Sequence, residues 1–246
     1  MNIYTFHNSP EQLNNFEMVE PITKQLSIDE FWHSIGLPEN VGNGEDAISQ
    51  SAEHSYNYAR YIIKDRWEEG EAAIATDAEQ SYNYAGYIIQ GRWEEGEDAI
   101  SQSAEYSYKY ARLVIQERFP KGEDAIAQSA EHSYNYVKDV LKERFPKGED
   151  AIGTDFRRSL AYARNIMKGR FLKGEKIIAT DSTHSLLYAT DIIKRRFKKG
   201  EEAIAKDAET SYDYAKNILK GRFPEGEAVM MKSSFWRKYR HEFIDN

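Results

Sequence analysis

Apolar and polar positions recur along this chain in a fixed order every 26 residues. In the stretch SYNYARYIIKDRW, Tyr56, Ala59, Ile62, Ile63 and Trp67 are separated by steps of three or four residues, apart from one adjacent pair. This spacing places apolar side chains on one face of a helix. The order returns in seven full copies between residues 44 and 225, and an eighth copy begins at Gly226. We therefore predict one amphipathic helix of about 15 residues per copy, at 52–66 in the first.

Each predicted helix follows a residue that is well suited to cap its first turn. A short side-chain oxygen can accept a hydrogen bond from the free N–H groups at the start of a helix. The residues in this column are Ser51, Asp77, Ser103, Ser129, Asp155, Asp181, Asp207 and Ser233.

A second, shorter helix is predicted between successive long helices. Pro120, Pro146 and Pro224 share one register, and proline is tolerated in the first turn of a helix. Apolar pairs such as Ala47–Ile48 follow in the same register. A glycine column from Gly44 to Gly226 precedes each pair, and it indicates either a positive φ or a close approach of a neighbouring segment.

A pair of one long and one short helix cannot bury its apolar face alone, but stacked pairs can. The repeat therefore predicts an all-α, right-handed α-solenoid of about seven repeats. We expect residues 1–43 to form an N-terminal cap with a short helix after Ser27. Residues 44–225 hold the repeats, and 226–246 a partial repeat and a C-terminal capping helix.

Composition argues against cysteine-dependent sites, a membrane-spanning helix and a signal peptide. The chain has no cysteine, which excludes disulfides and thiolate zinc sites and favours a reducing compartment. Its sequence has no apolar run long enough to cross a membrane and no apparent signal peptide, so we expect a cytoplasmic protein. The formal net charge of -8 conceals a split, because residues 1–100 are strongly acidic and residues 151–200 are basic.

The basic stretch is the sharpest local candidate for binding. It could hold nucleic acid or an acidic protein, or it could meet the acidic end of another copy of the chain. The candidate binding residues are Arg157, Arg158, Arg164, Lys168, Lys173, Lys176, Lys194, Arg195, Lys198 and Lys199.

Two charged columns run through all copies and have two interpretations. They could bind anions, or each arginine could brace a glutamate of its own or the next short helix, which we favour because a packing joint recurs whereas a binding site rarely does. The predicted structural ladder consists of Arg66, Arg92, Arg118, Arg144, Arg170, Arg196, Arg222, Glu71, Glu97, Glu123, Glu149, Glu175, Glu201 and Glu227.

Other columns offer no catalytic arrangement. The tyrosine column from Tyr58 to Tyr214 could stack nucleic-acid bases or pack in the core, and the serine column from Ser55 to Ser211 fits small packing residues. His54, His132 and His184 lie in different copies, too far apart to share a metal ion. We predict no enzyme, no metal and no cofactor.

Columns that vary between copies are the expected place for contacts with a specific partner. The column of Tyr61 also holds leucine, aspartate and asparagine, and the column of His54 also holds glutamine, tyrosine, arginine and threonine. We expect both columns on the outside of the long helix, where they either bind a partner or form solvated surface.

Residues 211–229, SYDYAKNILKGRFPEGEAV, and the ending SSFWRKYRHEF resemble tandem helical-repeat proteins of tailed bacteriophages. The resemblance covers residues 44–246, and Leu160 and Leu186 depart from its first tyrosine. It implies a phage-encoded solenoid acting in the bacterial cytoplasm, but it brings no activity and no functional residues. We therefore expect a viral binding protein that engages, and could inhibit, a host protein such as a defence or nucleic-acid-processing factor. Nucleic-acid binding and self-assembly are the alternatives.

Overall fold

A computed structural model describes residues 44–245 together with Glu30 and His33. The predicted N-terminal cap otherwise lies outside the described residues. The chain divides into two compact units at the bond between Gly122 and Glu123. Within each unit, long helices pack against short helices and against the long helix of the next copy. Helices and turns make up the described part of the chain, with no strand, which confirms an all-α fold of solenoid type. The right-handed sense of stacking stays a prediction.

Every long helix has two parts, an α-helical part and a π-helical part. In the first copy, Ala52–Tyr58 is α-helical and Ala59–Ile63 is π-helical. The other α-helical parts are Ala78–Tyr84, Ala104–Lys109, Ala130–Tyr136, Phe156–Tyr162, Ser182–Leu187 and Ala208–Tyr214. The other π-helical parts are Ala85–Ile89, Tyr110–Val114, Val137–Leu141, Ala163–Met167, Tyr188–Ile193 and Ala215–Leu219.

The predicted helix at 52–66 is three residues too long. Lys64 has a φ of 60°, and its N–H donates to the carbonyl of Ala59 at 2.7 Å. A left-handed residue ends a right-handed helix, so Trp67 is extended rather than helical. A positive φ recurs at the equivalent residue of every later copy: Gln90, Gln116, Lys142, Lys168, Lys194 and Lys220.

Short helices alternate with the long ones, as predicted. They are Gly44–Ile48, Glu68–Ile74, Glu97–Ile100, Glu123–Ile126, Glu149–Ile152, Glu175–Ile178, Glu201–Ile204 and Pro224–Met230. Four of them follow a 3-10 turn, at Glu94–Gly96, Pro120–Gly122, Pro146–Gly148 and Lys198–Gly200. The three prolines begin their elements because the first turn has no use for the missing N–H.

The predicted N-caps are confirmed in all seven full copies. The Asp77 side chain, for example, accepts the N–H of Gln80 at 2.9 Å. The eighth member of the column is displaced by one residue, because the last helix is Phe235–Phe243 and its flanking residue is Ser234. Ser233 Oγ instead accepts the N–H of Phe235 at 3.2 Å.

Close approach, rather than positive φ, explains the glycine column. Gly174 has a φ of -85°, which any residue adopts. A Cβ placed there would lie 2.6 Å from both Phe171 Cδ1 and Ser159 Cβ. The column is therefore glycine because a ring and a serine of the preceding copy occupy the space that a side chain would need.

Candidate functional site

The tyrosine column forms the joints between successive copies. In the first unit, the Tyr84 hydroxyl accepts the N–H of Trp67 and donates to Glu71, both at 2.9 Å. In the second unit, Tyr188 makes the same bonds with Phe171 and Glu175, at 3.0 and 3.1 Å. Burial raises the pKa of both hydroxyls, that of Tyr188 to about 12.

Buried tyrosines leave no surface on which bases could stack. Every tyrosine of this column is at most 3% exposed, so the base-stacking interpretation is wrong and the packing interpretation holds. The last helix supplies Tyr239 in the same role, since its hydroxyl accepts the N–H of Phe223 at 2.7 Å and donates to Glu227 at 2.9 Å.

Six glutamates of the ladder also pair with the arginine that precedes them by five residues. The Arg66 Nε–Glu71 Oε1 distance is 2.6 Å, and the Arg170 Nη2–Glu175 Oε1 distance is also 2.6 Å. The remaining pairs are Arg92–Glu97, Arg144–Glu149, Arg196–Glu201 and Arg222–Glu227. Arg118 and Glu123 lie on the two sides of the unit boundary. The structure thus places these columns in the joints, where the arginine of one copy pairs with the glutamate of the next copy.

The serine column packs against the glycines and has no nucleophilic partner. Ser159 is fully buried, and its Oγ donates to the carbonyl of Ile152 at 2.9 Å. The same bond to the isoleucine seven residues earlier recurs at Ser55, Ser81, Ser107, Ser133, Ser185 and Ser211.

Three residues of the two variable columns contact the adjacent copy and do not lie only on the outside of the long helix. The Tyr106 ring lies 5.6 Å from that of Tyr82, and the His184 ring lies 4.5 Å from that of Phe156. Tyr87 lies under the guanidinium of Arg60, whose Cζ is 3.6 Å from the ring centroid. These three residues therefore contribute to the packing between adjacent copies. In the column of Tyr61, Asn165, Asp191 and Asn217 are exposed.

The predicted basic residues divide into paired and unpaired groups, all in the second unit. Arg158 pairs with Asp155 and Glu131, Arg164 with Asp191, Lys173 with Asp150 and Lys199 with Glu175. Six others are exposed or nearly so and have no ion pair with any described residue. They are Arg157, Lys168, Lys176, Lys194, Arg195 and Lys198.

A surface ladder of aspartate and lysine pairs is broken in copy six. Lys147 Nζ lies 2.8 Å from Asp124 and Lys173 Nζ lies 2.7 Å from Asp150. At the next step the equivalent positions are Lys199 and Lys176, so the acid is replaced by a second base. Lys199 turns to Glu175 at 2.9 Å, and Lys176 stays exposed.

An exposed leucine, which the sequence interpretation did not single out, accompanies these lysines. Leu172 is 65% exposed, at a position that is proline in copies three, four and seven. We use the name basic edge for the short-helix surface formed by Leu172, Lys173, Lys176, Lys198 and Lys199. Comparing the copies column by column would have shown Leu172, because it is the only apolar residue other than proline in its column.

A cleft of about 300 Å³ lies beside the basic edge, in the second unit. Its lining residues are Arg170, Glu175, Ile193, Arg195, Arg196, Phe197, Lys198 and Lys199. Burial would raise the pKa of Glu175, but hydrogen bonds from Lys199 and Arg170 outweigh it and hold the pKa below its ordinary value. Glu175 is therefore a carboxylate that two cations already neutralise.

Comparisons of the chain with models of known protein families, with curated proteins and with solved structures found no match. Among the described residues, no group of three histidine, aspartate or glutamate side chains is arranged to hold a metal ion. The helices described here include none with the length and apolar character needed to cross a membrane. What stands out in the described residues is the basic edge and the cleft beside it.

Proposed function

We propose that this chain is a non-enzymatic helical-repeat protein that binds an acidic surface of another protein through the basic edge. The observation that carries the proposal is the broken ladder, since Lys176 replaces an aspartate and Lys199 loses its usual partner. Lys176 is exposed and has no ion pair with a described residue, so its charge can attract an acidic partner.

Leu172 favours a protein over a nucleic-acid backbone as the partner. An apolar side chain amid cations can bury itself against an apolar residue of the partner, while the lysines pair at the rim. A phosphate backbone offers no such contact, and its recognition needs only the charges.

The resemblance to phage repeats supports a partner from a bacterial host. In that setting we propose that binding blocks a host defence or nucleic-acid-processing factor in the cytoplasm. The serine, histidine and acidic residues of the repeats perform structural or surface roles, which supports a binding role over catalysis.

Nucleic-acid binding is the second candidate, because six cations of the fifth and sixth copies have no described ion-pair partner. Its affinity would fall steeply with salt as condensed counterions are released. Self-association is a further outcome, because the exposed Glu68, Glu69, Glu94 and Glu95 of one molecule offer acidic contacts to the basic edge of another molecule.

The test is a tagged pull-down from bacterial lysate, with and without nuclease treatment, that compares the wild-type chain with a variant that restores the ordinary repeat. Leu172→Pro combined with Lys176→Asp reproduces residues already present at these positions in other copies, so we expect it to fold. The control is Lys206→Gln, since glutamine occupies that column in copies one, three and four.

We expect one host protein to bind the wild-type chain and the control but not the double variant, and direct titration of the purified partner should repeat this order. Capture that disappears with nuclease treatment would favour nucleic acid. Capture of only the chain itself would favour self-association, and capture that the double variant retains would contradict a role for the basic edge.

A further inference from the structure

We propose that the cleft beside the basic edge is a binding site for an oxyanion of the phosphate class, held between Arg170 and Arg195. The inference rests on the cleft and not on the proposed function. Arg195 lies outside the basic edge, so the two proposals can fail separately.

The first unit shows how an acid at this position pairs with the arginine of the preceding copy. There, Arg92 Nη2 lies 2.7 Å from Glu117 Oε1, an acid of the next copy that lies 25 residues along the chain. The equivalent residues of copies five and six are Arg170 and Arg195, also 25 residues apart. The position of Arg195 is an acid in copies one, three and four and glycine in copies two, five and seven, so copy six is the one copy with a cation there.

Both guanidiniums line the same cleft, and only one of them has an ion-pair partner among the described residues. Arg170 is 45% exposed and pairs with Glu175, while Arg195 is exposed and has none. Two like charges that share a cleft repel each other unless an anion lies between them. An oxyanion can accept hydrogen bonds from both guanidiniums, which carry several donors in a planar arrangement.

The charge of the cleft favours a dianion over a single carboxylate. Five of its lining residues are cations, and the acids that hold them are Glu175 within the cleft and Glu201 on Arg196. This leaves a surplus of three positive charges, of which Lys198 contributes one at the rim. A phosphate group carries nearly two negative charges at neutral pH and presents several acceptor oxygens. The volume of about 300 Å³ also exceeds what a bare carboxylate would fill.

No other copy has cations at both of the positions that Arg195 and Lys198 occupy. Those positions hold Glu117 and Pro120 in copy three and Glu143 and Pro146 in copy four. The pair of cations is therefore specific to copy six, which distinguishes this site from the structural arginine ladder.

The experiment is calorimetric titration of the full chain with inorganic phosphate and with phenyl phosphate, using acetate for comparison. Arg195→Glu supplies the carboxylate that copy three has at this position, so it should fold, pair with Arg170 and exclude the ligand. Lys198→Pro, which copies the residue of copies three, four and seven, is a second variant. Lys168→Gln is the control, because glutamine occupies its left-handed position in copies two and three.

We expect saturable phosphate binding by the wild-type chain and the control, and affinity at least about tenfold weaker in Arg195→Glu, in line with the loss of a charge-assisted contact. Lys198→Pro should weaken it less. Binding of phenyl phosphate as well as inorganic phosphate identifies a phosphate monoester as the acceptable form, whereas binding of inorganic phosphate alone identifies the free ion. Equal affinity in Arg195→Glu and wild type, or no saturable binding by the wild type, would overturn the proposal.

Discussion

Replacing Gly174 with alanine tests whether close approach sets the glycine column. The new Cβ would lie 2.6 Å from Phe171 Cδ1 and 2.6 Å from Ser159 Cβ, about 1 Å inside an ordinary carbon–carbon contact. Gly153 and Gly174 differ in this respect, since a Cβ on Gly153 would meet backbone atoms at no less than 3.1 Å.

Two opposing terms decide the size of the effect at Gly174. Overpacking of a buried site costs about 1–3 kcal/mol. The φ of Gly174 is one that alanine adopts without strain. Alanine also restricts the unfolded chain more than glycine does, which stabilises the folded state by about 0.4–1 kcal/mol. We therefore expect a net loss of about 1–2 kcal/mol, which lowers the urea midpoint by about 0.5–1.5 M for an m-value typical of small units.

The matched control is Gly169→Ala, five residues before Gly174. A Cβ there would have the carbonyl oxygen of Met167 as its nearest neighbour, at 3.7 Å, which is an ordinary van der Waals contact. Urea unfolding followed by circular dichroism should show an unchanged or slightly higher midpoint for this variant. Combining Gly174→Ala with Ser159→Gly should cost less than the sum of the single changes, because one of the two close contacts is removed. Equal effects at Gly169 and Gly174 would refute the argument from close approach.

Three further predictions concern the joints. Tyr214→Phe removes the hydroxyl that accepts the Phe197 N–H at 2.8 Å, so it should lower the free energy of unfolding in urea by about 1–3 kcal/mol. Tyr134→Phe loses only an exposed hydrogen bond from Asn165, so it should lower that free energy by less than about 0.5 kcal/mol. The pKa of Glu175 is lowered in the folded state, so its stabilising contribution is present above about pH 4.3 and is lost as the pH falls through the folded pKa; Glu175→Gln should remove this part of the acid dependence of the urea midpoint. The pKa of Tyr188 is raised to about 12, mainly by burial, so stability should fall as the pH rises from about 10 towards 12, and Tyr188→Phe should flatten that slope; an unchanged slope would contradict ionisation at this joint.

The periodic features were predictable because each depends on a residue type in a fixed local register. Asp77 caps a helix by accepting the N–H of Gln80, three residues along the chain. Pro146 begins a 3-10 turn because the first turn does not need the N–H that proline lacks. The basic stretch was also visible, but its division into paired and unpaired residues was not. Lys173 and Lys176 are three residues apart, yet the first pairs with Asp150 and the second has no described partner.

The helix ends were missed because no local signal marks them. Lys64 and Lys142 adopt a left-handed conformation that is usually left to glycine or asparagine, and only the packing of the following Trp67 or Phe145 into the joint holds them there. The contact of Tyr106 with Tyr82 across copies, at 5.6 Å between ring centroids, was missed for a related reason, because it depends on how the copies stack.

The sequence by itself determined the repeat, its helix pairs, their caps and the charge of each copy, because these follow from side-chain chemistry at short range along the chain. Tertiary structure decided why the glycines are small, which tyrosines are buried, and which cations remain unpaired. Those properties depend on distances between residues of different copies. Arg92, for example, pairs with Glu117 of the next copy, whereas the residue equivalent to Glu117 for Arg170 is Arg195. The candidate site therefore arises from a change of one charged residue in a register that only the folded repeat brings together.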